Sequence, residues 1–214
     1  MAARTPPRIY VLAGVNGSGK SSVAGAQFRA NGADYYNPDE AARALRTSYP
    51  GMSQADANGA AWQRGFRLLS EAIEQRMDFA FETTLGASSI PKKLVEAADR
   101  GCEVYMWYAG LATPELHIAR VRARVKRGGH DIPEAAIRRR FEHSRINLIM
   151  LLPKLTALRI FDNSVEADPA AGETPAPVMV LHMAHRKVVA SADASVAPEW
   201  AKPMLAAAYK LHST

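Results

Sequence analysis

The sequence is poor in cysteine and has no long apolar run. Its single cysteine, Cys102, cannot form an internal disulfide, and one thiol is too few for a zinc site. No stretch approaches the roughly 18 uninterrupted apolar residues of a membrane span. The N-terminal segment Met1–Arg8 also lacks the apolar core of a secretory signal peptide. These absences predict a cytoplasmic protein that has no contact with a membrane.

Aromatic residues are scarce where the basic charge is most concentrated. The chain carries 27 Lys and Arg against 21 Asp and Glu, a net charge of +6, and eight of the arginines lie between Arg120 and Arg145. Phe141 is the one aromatic residue in that window. Because single-stranded nucleic acid is bound by interleaved aromatic and basic side chains, this pattern argues against such a platform. Arginine is suited to bidentate contacts with phosphate, so the window favours a small polyanionic ligand.

Short apolar runs alternate with helical segments along the chain. A length of 214 residues is that of one domain, at about 150 residues per domain. Strands are predicted at 8–13, 33–37, 79–83, 102–111 and 159–163. Strands separated by helices form a parallel sheet covered on both faces. We therefore predict an α/β three-layer sandwich with a mostly parallel sheet.

The predicted domain spans residues 1–214, with a core at about 8–164 and a C-terminal extension at about 165–214. In that extension, residues 178–183 and 186–190 are expected to pair as a hairpin, and residues 198–211 to form a helix.

A glycine-rich motif directly follows the first predicted strand. Residues 14–21 read GVNGSGKS and match G-x-x-x-x-G-K-[ST] at every fixed position, before a helix predicted at 18–30. In such a P-loop the backbone N–H groups surround phosphate oxygens, the lysine reaches the β- and γ-phosphates, and the hydroxyl of Ser21 ligates Mg²⁺. We predict a site for ATP and Mg²⁺ formed by Gly14, Val15, Asn16, Gly17, Ser18, Gly19, Lys20, Ser21 and Ser22.

Polar residues follow the ends of the second and third predicted strands. Asp39 comes after the second strand, and Glu82, Thr83 and Thr84 close the third. Because ligands bind outside the carboxyl ends of parallel strands, these side chains are expected to converge on the phosphate site. A kinase needs a carboxylate that accepts the hydroxyl proton and polar groups that hold the acceptor. Asp39 and Glu82 are predicted to supply these roles.

The arginine-rich stretch has the pattern of a helical lid, with two helices separated by a glycine break between residues 120 and 140. Arginines at the hinges of such a lid would neutralise charge on the transferred phosphoryl group. Arg127 precedes the glycine break. Three consecutive helical residues span about 200°, so only part of the run Arg138-Arg139-Arg140 can face the site. His130 is a candidate contact beside them.

In this order, the motifs resemble those of the zeta-toxin-like P-loop kinases, and the resemblance extends from about Ile9 to Asn163. It implies transfer of the ATP γ-phosphate to the 3′-hydroxyl of the sugar in UDP-N-acetylglucosamine, and control by a small antitoxin protein. It also implies nucleotide roles for Lys20 and Ser21, and a position near the adenine for Asn163. The implied catalytic residues are Lys20, Asp39, Arg127 and Arg139. The predicted acceptor-binding residues are Asp39, Glu82, Thr83, Thr84 and Arg138.

Two other functions fit the same motifs. A different P-loop phosphotransferase could act on another sugar, nucleotide or antibiotic hydroxyl. A nucleotide-dependent regulator or nucleic-acid-binding ATPase is favoured by the net charge alone. Carboxylates at two strand ends favour a kinase, because a binding module needs no proton acceptor.

Overall fold

A six-stranded sheet organises the chain in the computed structural model, which describes residues 5–20, 23, 35–165 and 176–213. The strand order is β2-β1-β3-β4-β5-β6. Strands β1 to β4 are parallel, whereas β5 and β6 are antiparallel to their neighbours. The strands are β1 (Arg8–Ala13), β2 (Phe79–Thr83), β3 (Glu103–Gly110), β4 (Ala157–Asp162), β5 (Val178–Ala184) and β6 (Lys187–Ser191). The predicted α/β fold with a mostly parallel sheet is confirmed.

Six described helices flank or extend this sheet. They are α1 (Pro38–Ser48), α2 (Gln54–Gln75), α3 (Ser89–Asp99), α4 (Pro114–Lys126), α5 (Glu134–Leu151) and α6 (Lys202–His212). Side-chain caps explain where three of them begin: Asn37, Ser53 and Thr113 each accept a hydrogen bond from a backbone N–H of the first turn. Among the described residues, no helix combines the length and hydrophobicity that a membrane-spanning segment requires.

Strand β1 is buried on both faces because an apolar cluster covers each side of the sheet. Ile9 and Val11 belong to the main core, which also contains buried residues of α2, α3, α5 and α6. Leu12 faces the opposite side, where it joins a smaller cluster with Ala80 of β2 and Trp107 of β3. A continuous apolar run is what a strand covered on both faces requires.

Two predicted elements differ from the structure by more than two residues. In the described part of the predicted strand 33–37, only Tyr36 pairs with the sheet, through a bridge to Phe81. The predicted hairpin is present, but α6 begins at Lys202 rather than at Pro198. Just before this start, Trp200 Nε1 donates to Asp162 Oδ1 at 3.1 Å and the indole ring lies against Gly110. Most of the helix predicted at 18–30 lies outside the described residues.

Candidate functional site

A cavity of about 330 Å³ lies at the carboxyl ends of β1 and β2, where the sheet meets α1, α2 and α5. This is the edge at which open parallel sheets bind ligands. The cavity brings together side chains that are far apart in the sequence. Those predicted for the site that line it are Asn16, Lys20, Asp39, Glu82, Thr83, Thr84 and the candidate contact His130.

The P-loop backbone is held in place by Asn163. Its Nδ2 donates to the carbonyl oxygen of Ser18 at 2.9 Å. Gly19 has a φ of +76°, and a Cβ there would lie 2.3 Å from Asn163 Nδ2, so only glycine fits this contact. The structure thus places Asn163, which the resemblance puts near the adenine, against the loop that precedes Lys20.

Lys20 forms a buried ion pair with the carboxylate at the end of β2. Its Nζ lies 3.2 Å from Glu82 Oε1 and donates to the Gly14 carbonyl at 2.8 Å. The two charged side chains are only 8% and 10% exposed. Asn37 completes the group, because its Nδ2 donates to Glu82 Oε2 at 3.3 Å while its Oδ1 caps α1. The Lys20 ammonium is therefore held in one orientation and largely shielded from water, as expected of a lysine that binds phosphate.

Two features of the loop fit bound phosphate. The Ser18 hydroxyl is buried and has no hydrogen-bond partner among the described residues. An unpaired buried hydroxyl is costly, and a phosphate oxygen would satisfy it. Gly14 and Gly17 have positive φ angles, as a loop that turns its N–H groups toward an anion needs. Ser21 and Ser22, predicted for Mg²⁺ and nucleotide, lie outside the described residues.

A strained turn sets the end of β2. Leu85 has a φ of 55°, a left-handed conformation that costs a non-glycine residue about 1–2 kcal/mol. Two hydrogen bonds hold it: the Leu85 N–H donates to Thr83 Oγ1 at 3.1 Å, and Asn147 Nδ2 donates to the Leu85 carbonyl at 2.8 Å. Thr83 and Thr84 are thereby positioned at the cavity wall.

Asp39 faces two basic residues of the arginine-rich stretch. Its Oδ2 lies 3.5 Å from Arg124 Nη1, and its Oδ1 lies 3.7 Å from His130 Nε2. Burial lowers the pKa of His130, and the nearby Asp39 carboxylate opposes that shift only in part. Asp39 is half-buried, so its carboxylate reaches both the cavity and this contact. Sequence reasoning did not single out Arg124 as a site residue. In the structure, Gly129 of the glycine break packs directly on the Arg124 side chain.

Among the run of three arginines, Arg140 is the residue that lines the cavity. Its Nη1 donates to Asn16 Oδ1 at 2.7 Å, and burial lowers its pKa, as does the neighbouring Arg139. Arg138 and Arg139 are exposed, and Arg138 pairs with Glu115 at 2.6 Å.

Arg127, predicted as the first lid arginine, is also exposed. Its Nε donates to the Ala123 carbonyl at 3.3 Å, at the end of α4. The structure therefore brings Arg124 and Arg140 to the site, and places Arg127, Arg138 and Arg139 outside the cavity.

His117 is a buried residue that bonds to the P-loop backbone, and we expect it to make the stability of the protein pH-dependent. It is 1% exposed and bonds through Nδ1 to the Asn16 carbonyl at 2.8 Å. Burial lowers its pKa from 6.5 to about 4, a shift that the Asn16 bond opposes and that Lys20 and Arg120 increase. Between these values the unfolded chain binds more protons, so stability is complete above pH 6.5 and falls as the pH drops toward 4.

We expect this residue to contribute roughly 3 kcal/mol of pH-dependent free energy of unfolding. Urea unfolding at a series of pH values measures it. His117→Asn keeps a neutral N–H donor for the Asn16 carbonyl and should flatten the dependence between pH 6.5 and 4. An equally steep dependence in that variant would show that other groups cause it.

Comparisons with known proteins found one sequence relative and several similar folds. An uncharacterized protein of Haemophilus influenzae is 32% identical over 129 residues, which are 60% of this chain and 88% of that protein. The AvrRxo1-ORF1:AvrRxo1-ORF2 complex superposes with a TM-score of 0.70 at 18% identity, over 94% of this chain and 65% of that one. The same complex with ATP gives 0.67 at 17% identity, over 98% and 64%.

A third similarity is to the PezAT chromosomal toxin-antitoxin system of Streptococcus pneumoniae, with a TM-score of 0.54 at 16% identity over 82% of this chain and 76% of that one. The chain spans less than two thirds of the length of the AvrRxo1 structures. At these identities the structural matches show the fold alone, an α/β fold with a mostly parallel sheet. Residues 9–143, more than half of the chain, match a family model described as AAA domain. The chain therefore belongs to this AAA domain family of P-loop proteins.

Proposed function

We propose that the chain is an ATP-dependent phosphotransferase of the zeta toxin type, whose first candidate acceptor is a UDP-activated amino sugar such as UDP-N-acetylglucosamine. One observation carries the proposal: the P-loop lysine, Lys20, and a half-buried carboxylate outside the loop, Asp39, line a single cavity. A nucleotide-binding module needs only the lysine. A carboxylate that lies outside the P-loop gives the cavity a proton acceptor as well.

In the proposed reaction, Asp39 accepts the proton of the acceptor hydroxyl. The hydroxyl oxygen then forms a bond to the γ-phosphorus of ATP, the bond from that phosphorus to the bridging oxygen breaks, and ADP leaves with the electron pair. Lys20 and Arg140 stabilise the negative charge on the phosphoryl oxygens. Mg²⁺ bound with the nucleotide would neutralise further charge on the β- and γ-phosphates, and Ser21 is the residue predicted to ligate it.

Arg140 is expected to contribute more to the rate than its neighbours in the run. Arg140→Ala should lower kcat by about 10²-fold, because it removes a partly desolvated cation from the transferred group. Arg139→Ala is the matched control: it removes the same charge one position away, from an exposed side chain. Steady-state kinetics at saturating ATP compare the two, and equal losses would argue against a site role specific to Arg140.

An acceptor screen tests the proposal as a whole. The protein is incubated with ATP, Mg²⁺ and UDP-N-acetylglucosamine, other sugars, nucleosides or aminoglycosides, and mass spectrometry detects the addition of one phosphate. Modification of a different acceptor would keep the phosphotransferase and replace the UDP-sugar. If ATP turnover rose with DNA or RNA and no small molecule were modified, the regulator or nucleic-acid-binding class would replace the kinase.

The basic stretch gives little support to a nucleic-acid surface. Arg122 pairs with Glu134, Arg138 pairs with Glu115, and Arg124 pairs with Asp39. These cations are compensated within the chain, which leaves less charge for a phosphate backbone.

The antitoxin partner stays part of the proposal, and co-purification with the product of a neighbouring small gene would test it.

A further inference from the structure

A tryptophan of the C-terminal extension contacts the ends of two central strands. Trp200 is 3% exposed and lies just before α6. Three atoms of its six-membered ring would lie within 2.7 Å of a Cβ at Gly110, the last residue of β3, so the indole approaches the strand this closely only because that residue is glycine. Its Nε1 donates to Asp162 Oδ1 at 3.1 Å, at the end of β4. One side chain thus touches the carboxyl ends of two neighbouring parallel strands.

The contacts of this tryptophan continue into a set of hydrogen bonds that joins the ends of β3 and β4. Asp162 also accepts from Ser164 Oγ, and Ser164 Oγ accepts from the Ala112 N–H at 2.8 Å. The Asn163 N–H donates to the Gly110 carbonyl at 3.0 Å. Because these bonds cross from one strand end to the other, a side chain that fixes both ends also fixes Asn163.

The P-loop contacts the same two strand ends. Asn163 Nδ2 donates to the Ser18 carbonyl at 2.9 Å and lies against Gly19. At the start of the loop, a Cβ on Gly14 would lie 2.3 Å from the Ala109 carbonyl oxygen of β3. A shift of either strand end would therefore move the backbone N–H groups that are expected to surround phosphate.

We propose that Trp200 is a positioning residue for the nucleotide, which holds the ends of β3 and β4 and thereby keeps the P-loop in its phosphate-binding form. The C-terminal extension then acts on the nucleotide site, although none of its described residues lines the cavity. This inference goes beyond the proposed function, because it concerns how the loop is held and does not depend on the acceptor. Small shifts matter at such a site, since a displacement of about 1 Å can cost about 10²-fold in rate.

The first experiment removes one hydrogen bond. Trp200→Phe keeps an aromatic ring near Gly110 and loses the Nε1 donor to Asp162. We expect the Kd for ATP with Mg²⁺, measured by isothermal titration calorimetry, to rise by about fivefold or more, the lower end of the coupling between linked sites.

Tyr209→Phe is the matched control for this variant. It also removes a hydrogen bond of an aromatic side chain in the extension, the bond between the Tyr209 hydroxyl and Ser191 Oγ at 2.6 Å. This variant should leave the Kd for ATP unchanged. An unchanged Kd in Trp200→Phe, or an equal rise in both variants, would overturn the proposal.

The second experiment tests the contact between the indole and β3. Gly110→Ala places a Cβ 2.3 Å from the ring and should weaken ATP binding by about fivefold or more. In a Trp200→Ala background the same change finds space, so it should weaken binding by less than about twofold further, because changes that share one contact are not additive. Equal losses in the two backgrounds would overturn the coupling through Trp200. If Trp200→Ala does not fold, the Trp200→Phe comparison decides the proposal.

Amide exchange reports on the loop without nucleotide or acceptor. Hydrogen–deuterium exchange of residues 14–20 in the unliganded protein should be faster by about threefold or more in Trp200→Phe, and unchanged in Tyr209→Phe. Unchanged exchange of the loop in Trp200→Phe would overturn the proposal. If no acceptor is phosphorylated while the exchange difference remains, the proposed phosphotransferase fails and the positioning role of Trp200 stands.

Discussion

Lys20→Ala is expected to lower phosphoryl transfer by at least about 10²-fold, because it removes the ammonium that would lie against the β- and γ-phosphates. The same change should also destabilise the fold. Glu82 would keep its charge in a buried position without the cation that lies 3.2 Å away. Breaking a buried ion pair by removing one partner costs about 3 kcal/mol or more. Transfer assays and urea unfolding measure the two effects on the same preparation.

A double variant separates the loss of activity from the loss of stability. Lys20→Ala combined with Glu82→Gln replaces the buried carboxylate with a neutral group that still accepts from Asn37 Nδ2. We expect it to recover most of the free energy of unfolding and none of the phosphoryl transfer. Recovery of activity along with stability would show that Lys20 acts on the fold, and would contradict a phosphate-binding role.

Asp39→Asn is expected to lower kcat by about 10² to 10⁴-fold, the usual contribution of a general base. The amide keeps the shape of the side chain but cannot accept the hydroxyl proton. The KM for ATP should change little, because Asp39 contacts Arg124 and His130 and has no described contact with the P-loop. Rate and ATP affinity are measured on the same variant, with the acceptor saturating.

Glu40→Gln is the matched control for this variant. Glu40 also lies in the first turn of α1, so both changes remove a negative charge that favours the helix N-terminus. Glu40 is exposed and lies outside the cavity. A similar loss of rate in both variants, or a loss of ATP affinity in Asp39→Asn without a loss of kcat, would assign Asp39 a structural role.

The parts of the site that local sequence determines were predictable. A strand that leads into residues 14–21 defines a P-loop by spacing alone, and the run at 79–83 is flanked by breaks that set the bounds of β2. Parallel topology then implied that the ends of neighbouring strands share one edge, which is where Glu82 and Thr84 lie. The sequence carried these features because each depends on residues a few positions apart.

The contacts made across the sheet could not be predicted in this way. The bond from Arg140 to Asn16 joins residues 124 positions apart, and that from His117 to Asn16 joins residues 101 apart. Which of three consecutive arginines turns inward depends on the rotation of α5 about its axis. That rotation follows from the buried face of the helix, which includes Ile137 and Leu148, and Gly86 leaves room for the Arg140 side chain. A pattern of arginines predicts that a helix carries charge but does not define the direction of each side chain.

The position of β1 inside the sheet has a consequence for how the protein is made. The strand pairs with β2 on one side and β3 on the other, so both of its partners are synthesised after it. The P-loop that follows it is held by Asn163, 145 positions downstream of Ser18. At about 5–20 residues per second, a ribosome needs roughly 7 to 30 s to cover that distance. The phosphate-binding motif is thus synthesised well before Asn163, and a nascent chain stalled before Asn163 lacks the bond that holds the loop.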